Sequence, residues 1–380
     1  MSTTSSPVAS PSTAATPAGT PSASPSPLST LYAVLEAPRG FAQNNTVAIA
    51  GLDGYARAKT HFTPRSTPYA PDVAIVLTPE AHVAAGVVYF VDGHGVVRTL
   101  APSGVVRQVA VFRITQSQQE ISFAVSPDGK QLVAVILTFP SVGKLIPGTG
   151  WHALVGPWKL EVDRAEIGGP TIVLHKWQAT AGEPSQPGGF ANIVMAGWDA
   201  KGPVAVVGSN YATQNPLFDQ QTFYGGHFAN VDIRTGLPGL MVGGCQDHNA
   251  GPWSVRVDGT TVCATYMSSG IRRVSVDSPG QPLWQPALPL KPPFGLAGSF
   301  VLSADGSRLA MDGAVVGRSG STLAVNELFA PEGWLDAGTL IGIQRDKADP
   351  NRYVMAYLRL SDPTHPFSLG FVGEFVGAIR

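Results

Sequence analysis

One turn-and-strand motif occurs twice in this chain: Ser126-Pro127-Asp128-Gly129-Lys130-Gln131-Leu132 runs into Val133-Ala134-Val135, and Ser303-Ala304-Asp305-Gly306-Ser307-Arg308-Leu309 runs into Ala310-Met311. A tight turn recurring between short apolar strands implies a repeat architecture. Each unit has too little apolar surface to fold alone and must bury its faces on its neighbours. Asp-Gly suits such turns because Gly reaches positive φ without strain and Asp bonds its own turn backbone.

Relatives of this turn divide the chain after about residue 30 into units of two hairpins each. First hairpins read at 121–137, 193–207 around Asp199 and Gly202, 255–266 around Asp258-Gly259, 300–311, and 334–343 around Asp336 and Gly338. Second hairpins read at 47–62 around Asp53-Gly54, 87–100 around Asp92-Gly93, 158–177 around Gly168-Gly169 and 228–242 around Thr235-Gly236. They continue at 271–284 around Pro279-Gly280, 315–325 around Ser319-Gly320 and 353–369 around Asp362-Pro363. These second hairpins imply units of about 50 residues, close to one four-stranded propeller blade. The expected fold is all-β: a single β-propeller over 31–380, with seven blades expected and six the alternative. Ring closure would set the last strand, within 371–379, beside the first, within 31–35.

Composition agrees. Only 13% of residues are charged, Gly (43) and Pro (33) are abundant, and no window carries a helical apolar period among good helix formers. A net charge of −1 without a basic stripe argues against a nucleic-acid partner. The longest apolar runs fall well short of the roughly 20 residues of a transmembrane helix.

Residues 1–30 differ in kind: 26 are Ser, Thr, Pro or Ala and none is charged. They read as a disordered stalk, extended by chain entropy and stiffened by proline. Such stalks stand outside membranes, which suggests an exported, secreted or surface-anchored protein, although no basic n-region and apolar h-region precede the stalk. A disordered cytoplasmic tail is the other reading. Cys245 and Cys263, the only cysteines, flank one turn-rich segment and are read either as a disulfide or as two buried thiols.

Within these repeats, Ser126 to Val135 resembles the signature of TolB-like and WD-repeat-like bacterial β-propellers, and Val88-Tyr89-Phe90-Val91-Asp92-Gly93 is similar to their following hairpin. The resemblance implies a closed ring of blades, periplasmic or at the cell surface, used for binding. TolB-like propellers have six blades, which sets that number against the expected seven. The turn Asp and Gly residues are structural and are not taken as a site.

A chemical site is hard to find in the sequence. The eight histidines show no metal-ligand spacing, no Cys-x-x-Cys pair exists, and neither a nucleophile elbow nor a phosphate loop is complete. Neither a metal nor another cofactor is therefore expected, and no catalytic residue is assigned. The segment 210–226 has a binding-like composition, with Tyr211, Asn215, Phe218, Asp219 and Tyr224 followed by His227. His248, in Asp247-His248-Asn249 beside Cys245, is the remaining candidate, and 139–157 with Lys144, Trp151 and His152 is a second loop. The expected function is a monomeric extracytoplasmic module recognising a protein or glycan through loops at one end of the ring. A propeller hydrolase or lyase working on a glycan or peptide in the central channel is the alternative, and a purely structural envelope protein is a third possibility.

Overall fold

The computed structural model describes residues 30–36, 45–64, 81–138, 141–145, 147–148, 152–179, 193–207, 211–214, 221–224, 227–241, 250–267, 270–287, 300–348 and 352–380. Seven small antiparallel sheets form a ring, so the chain is a seven-bladed β-propeller. The stalk expected over 1–30 lies outside the described residues except for its last position.

Blade 1 joins the two ends of the chain. Its inner strand is Gly373–Ile379, followed outward by Leu31–Glu36, Thr46–Gly51 and Ala56–His61. Leu31 lies opposite Ile379 and Glu36 opposite Gly373, with a bulge at Ala33 and Val34, so the expected closure is present. Blade 2 is Ala81–Ala84, Val87–Val91, Val96–Leu100 and Val106–Val111. Blade 3 is Gln119–Val125, Gln131–Thr138, Trp158–Glu166 and Thr171–Ala179. Blade 4 is Ile193–Asp199, Gly202–Val207, His227–Val231 and Pro238–Met241. Blade 5 is Ala250–Val255, Thr261–Met267 and Gly270–Asp277, with Trp284 bridged to Val276 in place of a fourth strand. Blade 6 is Phe300–Leu302, Arg308–Met311, Ala314–Gly317 and Thr322–Ala324. Blade 7 is Phe329–Asp336, Thr339–Arg345, Tyr353–Arg359 and Phe367–Ser368.

The core is divided among the seven joints between blades. Blades 1 and 2 bury Leu35, Ile49, Phe90 and Leu100 together, and blades 7 and 1 bury Tyr32, Val34, Ile341 and Met355. The other five joints follow suit. A blade interior must therefore be apolar on both faces. In the second strand of blade 3, Leu132, Ala134 and Ile136 pack toward blade 2, while Val133, Val135 and Leu137 pack toward blade 4. Period-2 alternation puts successive side chains on opposite faces, and here both faces are covered, so the strand reads as a continuous apolar run.

The two copies of the motif fold alike. Ser126 Oγ donates to Asp128 Oδ1 at 2.6 Å and accepts from the Gln131 amide at 2.9 Å, while the Gly129 amide donates to the Ser126 carbonyl at 2.8 Å. Ser303 Oγ likewise donates to Asp305 at 2.6 Å and accepts from the Arg308 amide at 3.0 Å. Gly129 has φ +70°, and a Cβ there would stand 2.5 Å from Tyr89 Oη, so both conformation and space require glycine.

Blade 2 departs from the expected phase. The hairpin at 87–100 exists but joins the second and third strands, whereas the first hairpin of this blade turns at Ala85-Gly86 with no aspartate. The turn expected at Asp92-Gly93 closes two residues later: Gly95, at φ +78°, takes the left-handed position, and its amide donates to the Asp92 carbonyl at 2.9 Å.

Two predictions follow from these contacts. Deleting 373–380 removes the inner strand of blade 1 and should turn one sharp thermal transition into a broad, low one; an unchanged transition would contradict the closure. The Ser126 hydroxyl, then the Lys130 amide, hold the Asp128 carboxyl down to about 2, and the Ser303 hydroxyl, then the Ser307 amide, do the same for Asp305. An unfolded Asp takes its proton near pH 4, so these turns contribute stability above that pH and lose it as pH falls toward 2. Carboxyl 13C titration should give midpoints about two units below an ordinary Asp; midpoints near 4 would refute the bonding described.

Candidate functional site

Antiparallel blades sort their connections by end. First-to-second and third-to-fourth strand turns leave one end of the ring; second-to-third connections and the links between blades leave the other. The turn end is compact among the described residues, its connections running from Ala85-Gly86 to 360–366. The opposite end carries the longest connections: 62–80, 139–157, 180–192, 208–226 and 285–299. Both segments singled out for their composition, 210–226 and 139–157, are second-to-third connections, so they emerge together at this open end.

The turn end is also chemically occupied. Tyr89 Oη donates to the Gly129 carbonyl at 3.0 Å, joining blade 2 to blade 3, and Arg164 of blade 3 donates to the Ile233 carbonyl at 3.3 Å in a turn of blade 4. Arg256 of blade 5 donates to the carbonyls of Ser303 and Ala304 in blade 6. Arg308 of blade 6 donates to the Ala337 carbonyl of blade 7 and lies 5.0 Å over the Trp334 ring, whose Nε1 donates to the Val301 carbonyl at 2.9 Å. Tyr89, Arg164, Arg256 and Arg308 pass their bonds forward to the next blade, while Trp334 donates back to blade 6. These donors and turn carbonyls have partners within the protein.

Two of the long connections at the open end include a further hairpin among the described residues. Ser141–Leu145 pairs with His152–Val155 above blade 3. Tyr211–Gln214 pairs with Gln221–Tyr224 above blade 4, with Tyr211 opposite Tyr224. Strand Gln221–Tyr224 runs beside Ala250–Val255, the inner strand of blade 5, so this hairpin leans to the channel side of the ring. Of the expected ligand-binding residues, Tyr211 and Tyr224 thus fall on the ends of paired strands at the open end. His227 is half-buried and heads the third strand of blade 4 opposite Val207, at the same end. Asn215, Phe218, Asp219 and His248 lie outside the described residues. Of the cysteines, Cys263 is 3% exposed in the middle strand of blade 5, packed with Val194, Val204, Val206 and Phe228 of blade 4, while Cys245 lies outside the described residues.

Inner strands bring His82, Glu120 and Glu374 to second position from the open end in blades 2, 3 and 1. The His82 ring stands edge-on to Phe123 at 4.7 Å, and burial pushes its pKa down to about 4, so it is neutral at pH 7 and serves packing. Glu332 sits on a bulge of the inner strand of blade 7, where its Oε2 accepts the Phe375 amide of blade 1 at 3.0 Å; it helps close the ring. Also at this end, Arg345 of blade 7 and Asp312 of blade 6 form an ion pair at 3.7 Å with both side chains 4% exposed. Such a pair holds the joint between two blades rigid and is out of a ligand's reach. Among the described residues, no group of three or more His, Cys, Asp or Glu is placed to hold a metal ion.

Tryptophans pack between blades: Trp177 and Trp198 against the joint of blades 3 and 4, Trp284 against that of 5 and 6, and Trp334 inside that of 6 and 7.

No family model matches the chain, and no curated protein matches it. Among solved structures it is similar to a puromycin-hydrolyzing peptidase of Mycobacterium tuberculosis at 14% identity and TM-score 0.46, covering 91% of this chain and 55% of the peptidase. The chain therefore spans little more than half of that protein's length. It is similar to an oligogalacturonate lyase in complex with manganese at 12% identity and TM-score 0.48, covering 83% of this chain and 82% of the lyase. A putative TolB from Agrobacterium tumefaciens aligns at 10% identity and TM-score 0.33, over 92% of this chain and 91% of that one. The seven-bladed ring is the kind of fold that the resemblance to TolB-like and WD-repeat-like propellers implied.

Proposed function

We propose that this propeller is a binding module that recognises a protein or glycan with the open end of its ring, the hairpin Tyr211–Gln214 with Gln221–Tyr224 being the main contact. The observation that carries this reading is the confinement of every long connection to one end, while short turns and hydrogen bonds between blades occupy the other. A rigid ring with variable loops on one face is the arrangement in which binding residues sit on connections and the scaffold only positions them. The loop composition, aromatic and amide, suits sugars and peptides. Enzymatic work in the channel is the lesser reading, because the inner-strand groups Glu332 and His82 are engaged in closing and packing the ring.

An extracytoplasmic location on a Ser/Thr/Pro/Ala stalk belongs to the same proposal, and so does a bond between Cys245 and Cys263. Burial of Cys263 and the lack of a free cysteine among the described residues support the bond. No helix of the described residues is long and apolar enough to cross a membrane.

Replacing 211–224 by a short Gly-Ser link should leave the melting transition in place and abolish capture on glycan arrays and in pull-downs. Equal binding by the shortened and complete proteins would remove this loop from the reading. Thiol titration of the denatured, unreduced protein should find no free thiol, and reduction should lower stability by about 3 kcal/mol, the chain-entropy value for a loop of this size; two titratable thiols would refute the bond.

A further inference from the structure

A groove of about 790 Å³ runs between the outer strand of blade 2 and the outer half of blade 3, away from the open end of the channel. Val109, Ala110 and Val111 line one side; Pro170, Thr171 and Val173 line the other. Its charged and amide groups are Glu161, Asp163, Arg113 and Gln108. The two blades are fixed to each other here: the Gly168 amide donates to the Val109 carbonyl at 3.0 Å, and Thr171 Oγ1 donates to the Val111 carbonyl at 2.7 Å. The groove is thus a built feature of the joint.

Its floor holds an unsatisfied acid. Glu161 and Asp163 are two apart on the third strand of blade 3 and so face the same way, toward blade 2. A bulge after Val162 sets Asp163 opposite Val173, and Glu161 stays opposite Lys176. Lys176 Nζ is 2.5 Å from Glu161 Oε2 and is committed to that carboxylate. Asp163 is 2% exposed, and its Oδ1 has no hydrogen-bond partner. A buried carboxyl oxygen without a donor is destabilising, more so when charged, so Asp163 Oδ1 has room for a cation or a donor.

We propose that the groove receives a primary alkylammonium group, on a free polyamine or on a lysine side chain, with the ammonium donating to the Asp163 carboxylate and the aliphatic chain lying along Val109, Val111 and Val173. An alkyl chain matches the valine walls, and the ammonium supplies the charge and donors that Asp163 lacks. Val173 is 46% exposed, so its apolar surface is open to a ligand. Thr171 and Gly168 are already bonded across the joint, so Gln108 and Arg113 are the side chains left to select among ligands.

The proposal also fixes a pH response. Burial, then the Glu161 charge and hydrogen bond, push the Asp163 carboxyl up to about 7, against the pull of Lys176; Arg113 is the charged group facing the groove from blade 2. In the free protein, folding is therefore weakened as pH rises from about 4 to 7, because the folded state holds the proton more tightly than the unfolded one. An alkylammonium takes the place of that proton. Its affinity should fall about tenfold per unit as pH drops below 7.

Titration calorimetry with spermidine, with a lysine-containing peptide and with the acetylated form of each tests this on the complete chain. Binding by an amine that acetylation abolishes, that weakens below pH 7 and that Asp163→Asn reduces at least tenfold is the expected result; spermidine alone or the peptide alone identifies the source. Absence of binding by both amines, equal binding of the acetylated forms, or unchanged affinity in Asp163→Asn would overturn it. Asp163→Asn keeps the shape of the side chain and should raise the melting temperature at pH 8, which shows that the variant is folded; if it does not fold, the pH series on the unaltered protein decides.

Discussion

Everything in this molecule rests on the pairing of Leu31–Glu36 with Gly373–Ile379. A propeller blade is apolar on both faces, so an open row of blades would end in two uncovered faces and a free inner edge. Here the last strand of the chain becomes the inner strand of the first blade, and the joint between blades 7 and 1 buries Tyr32, Val34, Ile341, Ile343 and Met355 as fully as any other. Glu332 adds a bond to the Phe375 amide, and Gly333 leaves room for the Phe375 ring, which a Cβ there would meet at 1.9 Å. Both ends of the chain are thereby tied into the ring, and a joint lost anywhere would open all of them.

Closure separates the two ends of the ring by task. At the turn end, short Asp-Gly loops carry their hydrogen bonds internally, and Tyr89, Arg164, Arg256 and Arg308 stitch one blade to the next through main-chain carbonyls. Substitution there perturbs a joint. At the open end, connection length varies from the two-residue turn Asp312-Gly313 to 208–226, and the ring tolerates it because the strands beneath are fixed from the other side. That contrast directs a binding reading to the open end, and it leaves the flank between blades 2 and 3 as a separate place where one carboxyl oxygen of Asp163 is buried without a donor.

The architecture was legible in the sequence because the turn chemistry is local. Asp and Gly mark a turn wherever they stand, and spacing them at about 50 residues counts the blades. The reading slipped in blade 2 for the same reason: Ala85-Gly86 turns without an aspartate, with Ala85 itself at φ +47°, and the Asp92 turn, which joins second to third strand, carries the mark instead. The place of 210–226 at the open end could be expected, but its lean toward the inner strand of blade 5 could not, since that depends on a contact across two blades. Asp163 was invisible for a related reason. An alternating Glu161 and Asp163 looks like the solvated face of an outer strand, and only the outer strand of blade 2, fifty residues earlier in the chain, buries it.

Hydrogen exchange on the intact protein, followed by mass spectrometry, tests the closed ring most directly. If the two ends of the chain form one blade and that blade locks the ring, amides of Leu31–Glu36 and Gly373–Ile379 will be as protected as those of Gln131–Thr138 and will open together with them in one global step. Early exchange of the terminal strands, with the remaining blades still protected, would show a ring that stands without its closing pair and would contradict the account.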